Sequence, residues 1–166
     1  MPTPEELQEK LWAGLRSEMT VMLGREGGNA PARPMTAMID GDEDRGPLWF
    51  FTATDNNLYR QIQQVELAGD EPRAMAHFVA KGHDVWATVH GSLTTTRDRA
   101  IIDRLWNRFV AACYEGKDDP KIALIRLDPE DAEIWIDASS LVAGIKMLMG
   151  FDPKKDYEGK VAELRL

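Results

Sequence analysis

Apolar and polar positions along this chain change period several times, and each change marks an element. In residues 3–17, Leu7, Leu11, Trp12 and Leu15 fall on one side of a 3.6-residue turn, which predicts an amphipathic helix. Thr3-Pro4-Glu5-Glu6 supplies an N-cap, a first-turn proline and early acids. Residues 19–24 read as a strand. Glu26-Gly27-Gly28-Asn29 stops it with turn chemistry and predicts a hairpin into residues 32–39. Residues 40–47 form a polar loop, and Leu48-Trp49-Phe50-Phe51-Thr52 is a strongly β-prone run.

The helical period returns after residue 55. Asp55 is placed to cap a helix bearing Leu58, Ile62 and Val65. Residues 74–79 and 84–89 read as two strands joined by Ala80-Lys81-Gly82-His83. Thr96 then precedes a second amphipathic helix with Ile101, Ile102, Leu105, Trp106 and Phe109, continuing through Cys113. After Gly116-Lys117-Asp118-Asp119-Pro120, residues 122–127 and 132–136 read as two further strands. Residues 138–166 form a mixed C-terminal tail, with a helix and a final edge strand around Val161-Ala162-Glu163-Leu164. Short strands in hairpin-like pairs, interrupted by two mid-chain helices, do not make a doubly wound sheet. They predict a mainly β (α+β) fold, an antiparallel barrel with peripheral helices, in one domain spanning residues 1–166.

Composition narrows the partners. A formal net charge of −8 repels polyanions, which argues against nucleic acid and against anionic membrane surfaces. No apolar run is long enough to span a bilayer, and the acidic, polar opening residues are unlike a secretory leader, so a cytoplasmic location is expected. The single cysteine, Cys113, excludes an intrachain disulfide and reads as a small buried hydrophobe. His77, His83 and His90 lack metal-ligand spacing, so no metal site is expected.

In order along the chain, Ala32-Arg33-Pro34-Met35-Thr36-Ala37-Met38, Leu48-Trp49-Phe50-Phe51-Thr52, Gly91-Ser92-Leu93 and Arg97-Asp98-Arg99-Ala100-Ile101-Ile102 form a set. Leu105-Trp106, Gly116-Lys117-Asp118-Asp119-Pro120 and Pro129-Glu130-Asp131-Ala132-Glu133-Ile134-Trp135 complete it. This set, covering residues 18–137, resembles the flavin-binding split β-barrels of the pyridoxamine-phosphate-oxidase-like superfamily, in particular its general-stress-protein branch. The resemblance implies an antiparallel split β-barrel and a homodimer holding FMN at the subunit interface, with FAD or a deazaflavin as alternatives. It implies that Arg33 contacts the flavin phosphate, Met35 and Thr36 the ring, and Thr52 and Thr54 a second phosphate segment running from strand into helix. An arginine fork matches phosphate oxygens, and strand N–H groups match the polar ring edge.

Where many relatives have a Ser-Arg-Lys or Ser-x-Lys run, this chain has Asn56-Asn57-Leu58, so Arg60 and Asn57 are the replacement partners for the anion. Trp86 and Trp135 match aromatic positions beside the cofactor, the former from the partner subunit. Lys81 and His83, at a turn that faces ligands in relatives, are substrate-side candidates. Trp106 is expected in the core or in dimer packing. The functions implied are an FMN-dependent oxidoreductase-like general stress protein, a flavin-sequestering stress protein without turnover, or a split barrel used only as an interaction module. Oxidation of pyridoxamine phosphate is not expected. Trp135 is followed by Ile136-Asp137-Ala138-Ser139-Ser140-Leu141-Val142-Ala143-Gly144-Ile145-Lys146, which lacks the arginines and histidine that hold that substrate in the oxidases.

Overall fold

The computed structural model describes residues 2–136 and 161–166. Helix α1 (Pro4–Glu18) begins as the sequence predicts. Thr3 and Glu6 form a reciprocal capping box, and Leu7, Leu11, Trp12 and Leu15 are its buried face. The strands are β1 (Thr20–Arg25), β2 (Arg33–Thr36), β3 (Met38–Ile39), β4 (Leu48–Ala53), β5 (Arg73–Val79), β6 (Val85–Thr96), β7 (Ile122–Ile136) and β8 (Val161–Arg165). Helix α2 (Asn57–Leu67) lies between β4 and β5, and α3 (Arg99–Leu105) and α4 (Arg108–Ala111) lie between β6 and β7. Every pairing is antiparallel, in the order β2-β1-β5-β6-β7-β4-β3, with β8 on β7. The two ends of that order, β2 and β3, are consecutive in the chain, separated only by Ala37. One extended segment therefore closes the barrel by pairing first with β1 and then with β4. This is the split β-barrel with peripheral helices that the sequence predicts.

Several local expectations are revised. Residues 32–39 are not one hairpin strand, because buried Ala37 gives its amide to the carbonyl of Met19 and turns the segment to a new neighbour. Asn56, not Asp55, caps α2, its Oδ1 accepting from the amides of Leu58 and Tyr59, while Asp55 pairs with Lys121. The strand predicted over 84–89 runs on to Thr96, so Asp98 and not Thr96 caps α3. The helix expected to continue through Cys113 breaks at Trp106, which is extended, and restarts with Asn107 as the cap of one further turn. Residues 122–136 form one strand rather than two. A register shift between His90 and Gly91 lets β6 follow it, with the backbone of Asp128 close against Gly91. A Cβ on Gly91 would lie 2.0 Å from the Asp128 carbonyl oxygen. The helix expected within residues 138–166 falls largely outside the described residues.

Alternation along the strands gives two apolar layers. The barrel interior takes Val21, Leu23, Leu48, Phe50, Ala76, Phe78, Ala87, Val89, Ile125, Leu127 and Ile134, sealed by α1 and by Leu58, Tyr59 and Ile62 of α2. Gly14 lets α1 approach the ring of Phe78, which a Cβ there would meet at 2.9 Å. A second, smaller cluster lies outside β3, β4 and β7, where Met38, Trp49, Ile122 and Leu124 pack on Ile102, Leu105 and Val110. Among the described residues no helix is long and apolar enough to cross a membrane.

Candidate functional site

The strand that closes the barrel also opens it. Because β2 pairs with β1 and then departs, its remaining edge faces a cleft of about 540 Å³ beside the second cluster. Pro34, Met35 and Thr36 line one side, and Glu18, Met19 and Thr20, from the join of α1 to β1, line the floor. Met38 and Phe51 come from β3 and β4, and Asn107, Phe109, Val110, Cys113 and Tyr114 come from α4 and the turn after it. Phe51, Phe109 and Tyr114 make part of the lining aromatic, and Trp106 packs against Phe51 and Tyr114 from outside it. The rings of Phe51 and Trp106 meet edge to face at 6.2 Å, and Tyr114 lies 6.5 Å from Phe51 and 6.4 Å from Trp106. Centroid separations of this size are those of favourable aromatic pairs.

Charge is nearly excluded from the cleft. Among the described residues Glu18 is its only Asp, Glu, Lys or Arg, and its carboxylate accepts the Lys81 amide at 2.6 Å. Burial disfavours the phenolate of Tyr114 and pushes its pKa up to about 12, with nearby Cys113 and Asp119 acting in the same direction. The hydroxyl is therefore a donor across the physiological range. Asn107 accepts the Phe109 and Val110 amides through Oδ1. The Asn107 amide nitrogen and the Tyr114 hydroxyl have no hydrogen-bond partner among the described residues.

The predicted residues divide among three places. Met35 and Thr36 line the cleft, and Arg33 precedes Pro34 in β2, exposed and without an ion pair or side-chain hydrogen bond among the described residues. Lys81 lines a neighbouring groove of about 490 Å³ with Ser17, Glu18, Thr20, Val21, Met22, His77 and Val79, and the two hollows share Glu18 and Thr20. His83 stands two residues on in the β5–β6 turn, at a φ of 55°, its ring stacked on Trp86 at 6.4 Å. Trp86 is directly opposite Trp135 in the β6–β7 register, so the two tryptophans are neighbours on the outer sheet face. Both are half-buried.

The predicted second anion segment lies apart from both hollows. Thr52 is 4% exposed, alternates with core residue Phe50, pairs with Ala123, and has a buried hydroxyl without a partner. Thr54 gives its amide to the Lys121 carbonyl at 2.9 Å. Asn57 and Arg60 are exposed on the first turn of α2. The helix N-terminus is already part-satisfied, since Asn56 takes two of its amides. Leu58, where the resemblance leads to the expectation of a lysine, is 3% exposed in the main core, a position at which a charged head would need to reach out to water.

The aromatic wall was not legible as a site. Phe109 fits the helical period of a core residue, yet it is 81% exposed at the rim of the cleft, because the break at Trp106 rotates it away from Ile102 and Leu105. Cys113 is likewise exposed rather than buried, since it lies in the turn beyond α4. Trp106 is partly buried against the second cluster. The residues that bring the wall together, 51, 106 and 114, share no sequence pattern. Among the described residues, no three His, Cys, Asp or Glu side chains are grouped to hold a metal ion.

Comparison with solved structures places this geometry among known folds. A general stress family protein from Xanthomonas campestris pv. campestris is 51% identical over 82% of this chain and 92% of its own, with a TM-score of 0.71. The general stress FMN/FAD binding protein of Xanthomonas citri is 49% identical over the same shares, also with a TM-score of 0.71. A general stress protein 26 from Jannaschia sp. CCS1 shares the fold over 99% of this chain and 100% of its own at 24% identity, with a TM-score of 0.77. No curated protein matches the chain. The family model described as pyridoxamine 5'-phosphate oxidase like matches residues 6–158, and with half the sequence shared with the first of these structures, the chain belongs to that family.

Proposed function

We propose that this protein is a flavin-binding general stress protein, with FMN as the preferred cofactor, acting as a homodimer in the cytoplasm. The observation that carries the reading is the pairing of a cleft along the open edge of β2, free of lysine and arginine among the described residues, with an arginine one residue beyond it that has no ion pair among them. A flavin mononucleotide has the same division: a flat, largely uncharged ring system and a phosphate. In this reading Met35, Thr36 and the β2 backbone meet the ring, and Arg33 takes the phosphate, while Thr54, Asn57 and Arg60, apart from the cleft of their own chain, take no part in it. Thr52 stays with the core. The name of the Xanthomonas citri relative, which is 49% identical, supports the same cofactor class.

The outer face supports the dimer. Met22 and Val79 are 41% and 48% exposed there, beside half-buried Trp86 and Trp135, an apolar group of the kind a partner covers. A second copy on that face brings Trp86 and Trp135 toward the cofactor of its partner, with Lys81 and His83 at the edge of the joint. The flavin, when bound, supplies hydride or electron transfer. The protein anchors the phosphate, hydrogen-bonds the ring edge and shelters one face. The exclusion of pyridoxamine phosphate as substrate rests on residues 137–146, which lie outside the described residues.

The test is a flavin fluorescence titration of the parent and of Arg33→Ala. Losing a bidentate phosphate contact is expected to cost about 1.5–3 kcal/mol of binding, with unfolding unchanged. Equal affinity in both proteins removes Arg33 from the site, and no affinity in either removes the reading. Oxidation of reduced nicotinamide by the loaded protein separates an oxidoreductase from a flavin carrier.

A further inference from the structure

We propose that the wall formed by Phe51 and Tyr114, with Phe109 at its rim and Trp106 packed against both rings outside the lining, is a specificity site for a flat, uncharged aromatic compound bearing a carbonyl oxygen. The proposal deepens the flavin reading and rests on it in assigning the β2 edge to the cofactor and the opposite wall to the substrate.

Three features select this class. The first is charge. Among the described residues no lysine or arginine lines the cleft, and Glu18 does, so an anion there meets a carboxylate. The chain's net charge of −8 adds long-range repulsion of the same sign. The second is shape. The Phe51 and Tyr114 rings, 6.5 Å apart and tilted by 51°, with the Phe109 ring at the rim, present an aromatic surface that rewards a planar aromatic over a bulky aliphatic one.

The third is hydrogen bonding. The Tyr114 hydroxyl and the Asn107 amide belong to lining residues, are both donors open to solvent and have no partner among the described residues, so a ligand acceptor can replace water on them. Burial holds the phenol protonated up to a pKa of about 12, so its donor role does not vary with pH under ordinary conditions. Phe109, 81% exposed on a one-turn helix capped by Asn107, contributes nothing to the core in this position. A ligand over the cleft would bury it. A hollow of about 540 Å³ lies within the usual range for small-molecule sites, roughly 300–1,000 Å³.

Equilibrium dialysis of coumarin and coumarin-3-carboxylate, against flavin-loaded and flavin-free protein, tests this. Coumarin is expected to bind the loaded protein, and the carboxylate at least about tenfold more weakly. Tyr114→Phe, which removes only the hydroxyl, should weaken coumarin about three- to tenfold. Phe109→Ala, at an exposed position that does not threaten folding, should weaken it several-fold. Equal binding of the two compounds, unchanged affinity in both variants, or displacement of the flavin by coumarin each overturns the proposal. Flavin retained with no coumarin bound overturns it while leaving the flavin reading intact. Coumarin bound by a protein that takes up no flavin overturns the flavin reading and upholds the aromatic wall.

Discussion

Strands β1, β5, β6 and β7 carry two apolar faces of opposite fate. Val21, Leu23, Ala76, Phe78, Ala87, Val89, Ala132 and Ile134 point inward and are all buried. Met22, Val79, Trp86 and Trp135 point outward from the same strands and stay partly in water. Period-two alternation distinguishes the faces of a strand when one is polar. Here both carry large apolar side chains, and their difference comes from what covers them. The inner face is closed by the barrel and by α1 and α2, whereas Met22 and Val79 stay exposed in a shallow groove beside the end of α1. An apolar inner face stabilises the chain by itself; an apolar outer face is informative about partners.

Substitutions can break or sharpen that contrast. The largest effect is expected inside. Phe50→Ala empties a fully buried ring position and should lower unfolding free energy by about 3–5 kcal/mol in a denaturant titration. A loss near that of a surface change would mean the barrel interior is not the core. Gly91→Ala comes next, because the added methyl meets the carbonyl oxygen and carbon of Asp128 at 2.0 and 2.8 Å. Both are backbone atoms, so β6 or β7 must move, and a loss of about 3 kcal/mol is expected, the upper part of the overpacking range.

On the outer face the expectation reverses. Met22→Glu combined with Val79→Glu should change the unfolding of a single chain by about 1 kcal/mol or less. Sedimentation should then fall from twice the 18.7 kDa chain mass to that mass alone. A parent that already sediments as a monomer removes the functional half of the contrast. The smallest effect belongs to the cleft, between the two faces. Tyr114 ionises near pH 10 in an unfolded chain and near 12 when folded, since burial penalises the phenolate. Its contribution to stability is therefore complete below pH 10 and lost as pH rises from about 10 to 12. Tyr114→Phe should remove that slope and, in a difference titration of the tyrosinate band, the component ionising near pH 12.

Most elements were legible from particular residues. Thr3 and Glu6 announced α1, and Gly27, Gly28 and Asn29 the first turn. The errors cluster where two local signals competed. Asp55 and Asn56 are both capping types, and only the direction of the incoming strand chose Asn56. Ile101 through Phe109 keep helical spacing, yet Asn107 offered a second cap and the helix broke before it. Met35 and Thr36, which line the cleft, were singled out in the sequence because β2 carries the pattern of the resemblance. Asn107 and Tyr114 were not, because isolated polar residues in a loop-rich segment carry no period.

The sequence by itself determined which segments are strands and helices and which side of each is apolar, since caps, turn residues and periodicity act over a few neighbours. It also determined the family, through the identities along β2, β4 and β7. Tertiary structure decided that residues 33–39 divide between β1 and β4 at Ala37, and so that a cleft exists at all. It decided that Phe51, Trp106 and Tyr114 pack together, and that Phe109 and Cys113 face out. These outcomes depend on barrel closure, in which contacts far apart in the chain settle together, and no local preference encodes their sum.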